Sequence, residues 1–329
     1  MEYPDAVIRA VAERALPEWG LEEAELELIS RSENVVFRVD PGNGRAWALR
    51  VHRPGYHTLA ELESEPVWTA ALNEAGIGAP VAERTRAGEH YAVIGVPGTG
   101  ETRHVGLVPW FDGVPLTERI EKAPDEASRD TQFRQLGRLM AEMHDQASAW
   151  QPPARFRRHS LDADGFFGEA PWWGRFWDIP GLSPGQRETL LEARSWIRPR
   201  LAAYGKERGT WSLIHADLRS ANVLVREDRV FVIDFDDAAF GWHQYDLAVV
   251  LFDYATHPGF ERIRAALLAG YQSRRPMAEE DLALLPTFVV VRMLAALGWL
   301  NERPEVDLHA LLPALTELAC TRARALLAT

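Results

Sequence analysis

Two stretches decide the reading: IHADLRSANVLV, Ile214–Val225, and VIDFDDAAFG, Val232–Gly241. Each sets short polar side chains against runs of β-branched and other apolar residues. WSLIH, VLV and FVID read as strands, and REDR between the last two reads as a turn. Asp217 then falls in the turn leaving the first strand. Asn222 stands where the chain re-enters a strand, and Asp234 ends the next one. In an antiparallel hairpin, Asn222 and Asp234 come to the same end.

Oxygen donors grouped this way suit a hard cation such as Mg²⁺, which keeps waters and shares phosphate oxygens. Asp217 is left to orient a hydroxyl and receive its proton. Those are the parts of a phosphoryl-transfer site, where positioning and charge neutralisation supply most of the catalysis. The spacing H-x-D-x-x-x-x-N, followed by a hydrophobic strand and I-D-F, matches a kinase catalytic loop and its metal-binding aspartate. A polar turn capped by Asp and Asn is the rival account of either half alone. Both halves, in order and on expected strands, disfavour it.

Outward from this core, residues 4–16 carry Val7, Ile8, Val11 and Ala15 at helical spacing. LELIS, NVVFRVD and RAWALRVH follow as strands, the last two joined by the turn DPGNGR. Leu59–Glu74 returns to a helical period, and EHYAVIGVP and ETRHVGLVPWF give two more strands. Residues 1–110 therefore read as a β-rich lobe. PWFDGVPL breaks the pattern as a hinge, and residues 111–329 read as mainly helical, over 125–149, 184–204, 242–257, 260–274, 279–301 and 305–327. Residues 151–183 form a long irregular stretch rich in Pro, Gly and aromatics (GFFGEAPWWGRFWDIPG).

Composition narrows the classes. The chain has 329 residues and a net charge of −12, which disfavours a nucleic-acid partner because phosphate backbones need basic patches. A cationic small substrate suits that field, although an acidic surface also serves solubility. Cys320 is the single cysteine, so no intramolecular disulfide forms and a reducing cytosol is expected. Acids among the apolar residues of the first segment argue against a signal peptide. The longest apolar runs, such as Leu247–Phe252, are too short for a bilayer. Oligomeric state is not written in the sequence.

These motifs resemble the bacterial aminoglycoside phosphotransferase and choline kinase-like family, with its type II homoserine kinase and stress-response kinase subgroups. HADLRSANVLV and VIDFDDAAFGWHQYDLA carry the likeness most specifically. ALRVHRPGYHTLAELESEPVWTAAL resembles the phosphate-contacting strand and its following helix, and LGRLMAEMH, residues 136–144, the helix under the active site. The likeness covers residues from about 30 to about 300. It implies an α+β, bilobal protein-kinase-like fold, with a small antiparallel β-sheet N-lobe, a larger mainly helical C-lobe, and ATP between them.

Carried across, Asp217 is the catalytic base, Asn222 and Asp234 hold Mg²⁺, and His215 braces the loop. Asp246 is the helix-start aspartate that accepts the loop's backbone N–H groups. Arg50 stands where the family often has lysine; a guanidinium forks onto phosphate and keeps its charge. Glu65 is its expected partner, with Glu61 and Glu63 close by. In RSENVVF, Ser32, Glu33 and Asn34 are candidates for covering the phosphates with backbone N–H groups. In LVPWFDG, the Pro109 carbonyl and Phe111 N–H would face the adenine edge.

Asp236 and Asp237 either touch a cationic substrate or are solvated loop acids. Trp172, Trp173 and Trp177 form an aromatic wall for substrate or pack the excursion onto the helices. The expected partners are thus a nucleotide and a small hydroxyl-bearing acceptor. Two alternatives stand beside this: a protein Ser/Thr kinase of the stress-response type, and a non-catalytic nucleotide-binding pseudokinase.

Overall fold

The computed structural model describes residues 3–31, 34–207, 209–227, 229–304 and 306–328, with the Asp307 side chain left out. The chain folds into two compact units. One comprises Met1–Gly113, Pro152–Arg157 and Leu224–Ile233; the other comprises Val114–Gln151, Arg158–Val223 and Asp234–Thr329. The first division falls inside PWFDGVPL. The sequence does not show that Pro152–Arg157 and Leu224–Ile233 return to the first unit. They do so through specific bonds: Arg157 N–H donates to Ser64 Oγ at 2.8 Å, and Val232 N–H donates to Gly78 O at 2.8 Å.

The first unit opens with α1 (Asp5–Ala15) and then builds β1 (Glu25–Arg31), β2 (Val35–Asp40) and β3 (Trp47–Val51). Next come α2 (Leu59–Glu74), β4 (Tyr91–Gly95) and β5 (Thr102–Pro109). The five strands form an antiparallel sheet in the order β1-β2-β3-β5-β4. Strand alternation puts Phe37, Val39, Leu49, Val51, Val105 and Leu107 on one face, where they bury against Ile8, Val11, Ala12 and Ala15 of α1.

Helix α2 starts at a capping box: Thr58 Oγ1 accepts from Glu61 N–H at 3.3 Å and Glu61 Oε2 accepts from Thr58 N–H at 2.9 Å. Pro66 lies inside this helix and has no N–H to give the carbonyl four residues earlier. That carbonyl, Leu62 O, instead accepts from Tyr91 Oη at 3.1 Å, which ties the helix to β4.

The second unit contains β6 (Val114–Pro115), α3 (Leu116–Glu121), α4 (Glu126–Ala149), β7 (Ser160–Leu161), α5 (Ala163–Phe167), α6 (Pro184–Tyr204) and β8 (Trp211–Ile214). The chain then runs through β9 (Val223–Arg226) and β10 (Arg229–Val232), hydrogen-bonded neighbours that belong to the first unit from Leu224 onward, and re-enters the second unit for β11 (Ala239–Trp242) and α7 (His243–Asp253). The chain ends with α8 (Phe260–Gln272), α9 (Glu279–Ala283), α10 (Leu285–Asn301) and α11 (Leu312–Leu327). The small sheet β7-β11-β8 delivers the chain at Ile214 directly into His215.

Helices α4 and α8 pack backbone to backbone. A side chain at Gly137 would collide with Leu267 O, and one at Gly270 with Arg134 O. That close approach carries His144 of α4 and Tyr271 of α8 under the loop after β8. The mixed α+β architecture expected from the sequence is the one found. Two helices are shorter than their apolar period suggests. Residues 279–301 split at Leu284, before Pro286, and 305–327 become helical only at Leu312, after a 3-10 turn, with Pro313 in the first turn. Helix α3, six residues long, escaped sequence reading because so short a helix shows no period.

Candidate active site

In the first unit, β3 presents Arg50 toward α2, where its Nη1 donates to Glu65 Oε1 at 2.7 Å. Both side chains are nearly buried, at 12% and 8% exposure. Glu61 is spent on the α2 cap, and Glu63 meets His90 at 2.7 Å. Of the three glutamates, then, Glu65 is the one that holds the guanidinium. Burial and the nearby Arg50 charge push His52 well below the ordinary imidazole range, so it is neutral here.

Asn34 is buried and its Oδ1 accepts from Arg53 N–H at 3.2 Å, joining the start of β2 to the end of β3. Ser32 and Glu33 lie outside the described residues. The register sets Trp47 opposite Pro109, and Trp110 N–H donates to Ala46 O at 2.9 Å. The peptide groups of Pro109 and Phe111 therefore turn to the other edge of the strand. The Phe111 ring stacks on Phe231, with centroids 4.4 Å apart and planes 4° from parallel.

The second unit assembles the loop. Asp246, fully buried in the first turn of α7, accepts from Ala216 N–H at 2.7 Å through Oδ1 and from His215 N–H at 3.1 Å through Oδ2. His144 Nε2 lies 3.0 Å from the same Oδ2, and His144 Nδ1 lies 2.9 Å from Tyr271 Oη. Burial pushes His144 down to about 3, so its single ring proton sits on Nε2 and Nδ1 accepts from the tyrosine. Burial also pushes Asp246 up, to about 6, against the pull of His215 and of the backbone donors.

The two bonds from Asp246 hold Ala216 at φ +65°, a left-handed conformation that costs an alanine about 1–2 kcal/mol. His215 is buried, and its Nδ1 accepts from Asp217 N–H at 3.4 Å.

That loop delivers Asp217. Asn222 Nδ2 donates to Asp217 O at 2.9 Å and to Asp217 Oδ2 at 3.1 Å. Arg292 Nη2 donates to Asp217 Oδ1 at 2.6 Å. His215, Asp217, Asn222 and Asp246 are thus brought together by one run of hydrogen bonds.

Asp234 is exposed, with φ +66°. Asp236 is buried, and its backbone carbonyl accepts from Arg158 Nη1 at 2.7 Å; Asp237 is half-buried. Trp173 is buried beside Phe166 and Tyr245, and Trp177 is buried against Phe176 with the Arg194 guanidinium 4.2 Å from its ring centroid. Trp172 is half-buried and stacks on His159 at 3.6 Å.

Arg292, Arg158 and Tyr271 were not singled out from the sequence, and His144 entered only as the last residue of LGRLMAEMH, with no role of its own at the loop. The available signal for Arg292 was its isolation, as the one charged residue of the apolar α10. Arg158 and Tyr271 had none.

A fixed carboxylate on a strained loop, an amide beside it and a further aspartate two strands on are residue types that phosphoryl transfer uses. The chain belongs to the phosphotransferase enzyme family, whose pattern matches residues 25–281. It is similar to a microcompartment-associated aminopropanol kinase, with a TM-score of 0.80 and 30% identity over 96% of this chain and 94% of that one. The homoserine kinase of Methylobacterium radiotolerans is 31% identical over 260 residues, 71% of this chain and 68% of its own length. An amicoumacin kinase solved with AMP-PNP and Ca²⁺ shares the fold, with a TM-score of 0.76 at 17% identity over 97% and 94% of the two chains. The protein is a kinase-type phosphotransferase. Among the described residues, no helix is long and apolar enough to cross a membrane.

Proposed function

We propose that the protein moves the γ-phosphoryl group of ATP, with Mg²⁺, to a hydroxyl of a small amino-bearing molecule in the cytoplasm. The observation that carries this is the Asp217 carboxylate, fixed by Asn222 on a loop that Asp246 anchors. The acceptor oxygen forms the new O–P bond as the bond to ADP breaks, and the hydroxyl proton passes to Asp217. Arg50, held by Glu65, takes phosphate charge. Backbone N–H groups of the segment containing Ser32, Glu33 and Asn34 cover the phosphates. The Pro109 carbonyl and Phe111 N–H read the adenine edge.

The donor set fits Mg²⁺. Asn222 spends its amide nitrogen on Asp217, which leaves Oδ1 as a hard oxygen donor, and Asp234 adds an exposed carboxylate. Two protein ligands leave room for water and phosphate oxygens, as this ion prefers. When bound, the ion neutralises charge on the transferring group. Asp237, the more exposed of the acid pair after Asp234, is the candidate for meeting an acceptor's ammonium. The named acceptors of two relatives, aminopropanol and homoserine, each carry a hydroxyl and an amine.

The test is Asp217→Ala. Turnover measured by ADP release falls about 10²–10⁴-fold, while calorimetric titration gives a nucleotide Kd close to that of the parent. Parent-like turnover in this variant would remove Asp217 from its role.

A further inference from the structure

The fold sends a lone cation to the base. Helix α10, LPTFVVVRMLAALGWLN, contains one charged residue, Arg292, on a helix otherwise committed to the core. A strong hydrogen-bond donor in that setting carries a desolvation cost that packing does not repay. Its donors are incompletely used. Nη2 meets Asp217 Oδ1 at 2.6 Å, Nη1 lies 3.5 Å from Tyr245 Oη, and the buried Nε has no partner. The guanidinium carbon stands 5.8 Å from the Phe252 ring centroid. Contact with Asp217 is therefore through a single nitrogen, although a guanidinium is built to grip two oxygens at once. The group stays charged: burial opposes the charge, but Tyr245 and Asp217 outweigh it.

An acceptor whose hydroxyl meets Asp217 must bring its other substituents past this cation. A purely cationic alcohol would meet like charge there. An acceptor with a carboxylate would supply the planar oxygen pair that the unused donors lack, and would free Asp217 Oδ1 for the hydroxyl proton. We infer that Arg292 is a specificity-determining residue that binds a carboxylate of the acceptor, so that the substrate class is hydroxylated amino acids or hydroxy acids rather than simple amino alcohols. This rests on the phosphotransferase reading above and narrows its acceptor.

The test uses matched pairs that differ only in a carboxylate: L-homoserine against 3-amino-1-propanol, and L-threonine against 1-amino-2-propanol. ADP release is followed with Mg²⁺–ATP. The carboxylated member of at least one pair is preferred by about 10- to 100-fold in kcat/KM, the size of one charge-assisted hydrogen-bonded contact. Arg292→Gln and Arg292→Lys shrink that ratio by a similar factor, mainly through KM. A role confined to steadying Asp217 would lower kcat for both members alike.

The parent protein alone gives a second readout. L-2-aminobutyrate, which has the carboxylate but no hydroxyl, inhibits competitively with the acceptor, and n-propylamine does not. Preference for the amino alcohols, equal losses for both members in the Arg292 variants, or ATP hydrolysis with no carboxylated alcohol accepted overturns the inference and leaves the phosphotransferase reading in place. Failure to bind nucleotide at all sinks that reading itself.

Discussion

Replacing Asp246 with asparagine separates stability from activity. In the parent, the carboxylate is fully buried and burial pushes it from the usual 3.8 up to about 6. Between those values the folded protein holds a proton that the unfolded chain has released. The stability contributed by this group is therefore complete below about pH 4 and is lost as pH rises through 6. At about 1.4 kcal/mol per pH unit, the loss is ~3 kcal/mol. His144, pushed down to about 3 by burial, is neutral when folded but protonated below 6.5 when unfolded, so it contributes stability that rises with pH across the same window; it is present in both proteins and cancels in their difference.

Asparagine does not titrate, so the variant's stability relative to the parent rises by ~3 kcal/mol between pH 4 and 7. Urea unfolding of both proteins across that range measures the swing, and other titrating groups cancel in the difference. A flat difference, or one of opposite sign, would show that the donors His215 N–H, Ala216 N–H and His144 Nε2–H outweigh burial.

Activity moves the other way. The asparagine oxygen can keep Ala216 N–H, but its NH₂ then faces His215 N–H, which loses its acceptor. His144 adapts by shifting its proton to Nδ1; the backbone cannot. Ala216 at φ +65° is then held by one bond instead of two, and Asp217 loses its fixed placement. Loss of one such bond lowers kcat by about 10-fold. A slower enzyme whose stability relative to the parent climbs from pH 4 to 7 is the expected outcome.

Two further variants probe the supports. Glu65→Gln leaves the Arg50 charge buried without its counter-charge; it costs on the order of 3 kcal/mol in urea unfolding and raises the KM for ATP more than it lowers kcat. His144→Phe strips a donor from Asp246 and strands the buried Tyr271 hydroxyl, for a loss of about 2–4 kcal/mol. Adding Tyr271→Phe to that variant should return about 1 kcal/mol, since the stranded hydroxyl is gone.

The sequence exposes what is periodic or local. Helix α2 is legible to the residue because its apolar positions recur at three and four; its Thr58–Glu61 cap comes from the structure. The order of H-x-D-x-x-x-x-N and I-D-F is equally local. What stays hidden depends on contacts distant in sequence. His144 and Asp246 are 102 residues apart, and Arg292 and Asp217 are 75 apart. A histidine in an amphipathic helix and an arginine in an apolar one look ordinary until the fold brings them to the loop. The same holds for Leu224–Ile233: its hairpin is legible, but its membership of the first unit rests on the bond to Gly78.

Backbone strain gathers where side-chain aim matters most. Among the described residues, three non-glycine positions have positive φ, and two of them, Ala216 and Asp234, precede or are the acids that the phosphoryl-transfer reading uses. An aspartate tolerates that conformation through its own short side chain; an alanine gains nothing from it. The strain at Ala216 persists because a buried carboxylate grips its N–H and that of His215 before it. A relaxed turn would need no Asp246, and Asp246 would then not need to carry its charge under a helix start. The buried aspartate, the strained alanine and the aimed Asp217 thus form a single device. Its cost appears as pH-dependent instability, and its benefit appears only in turnover.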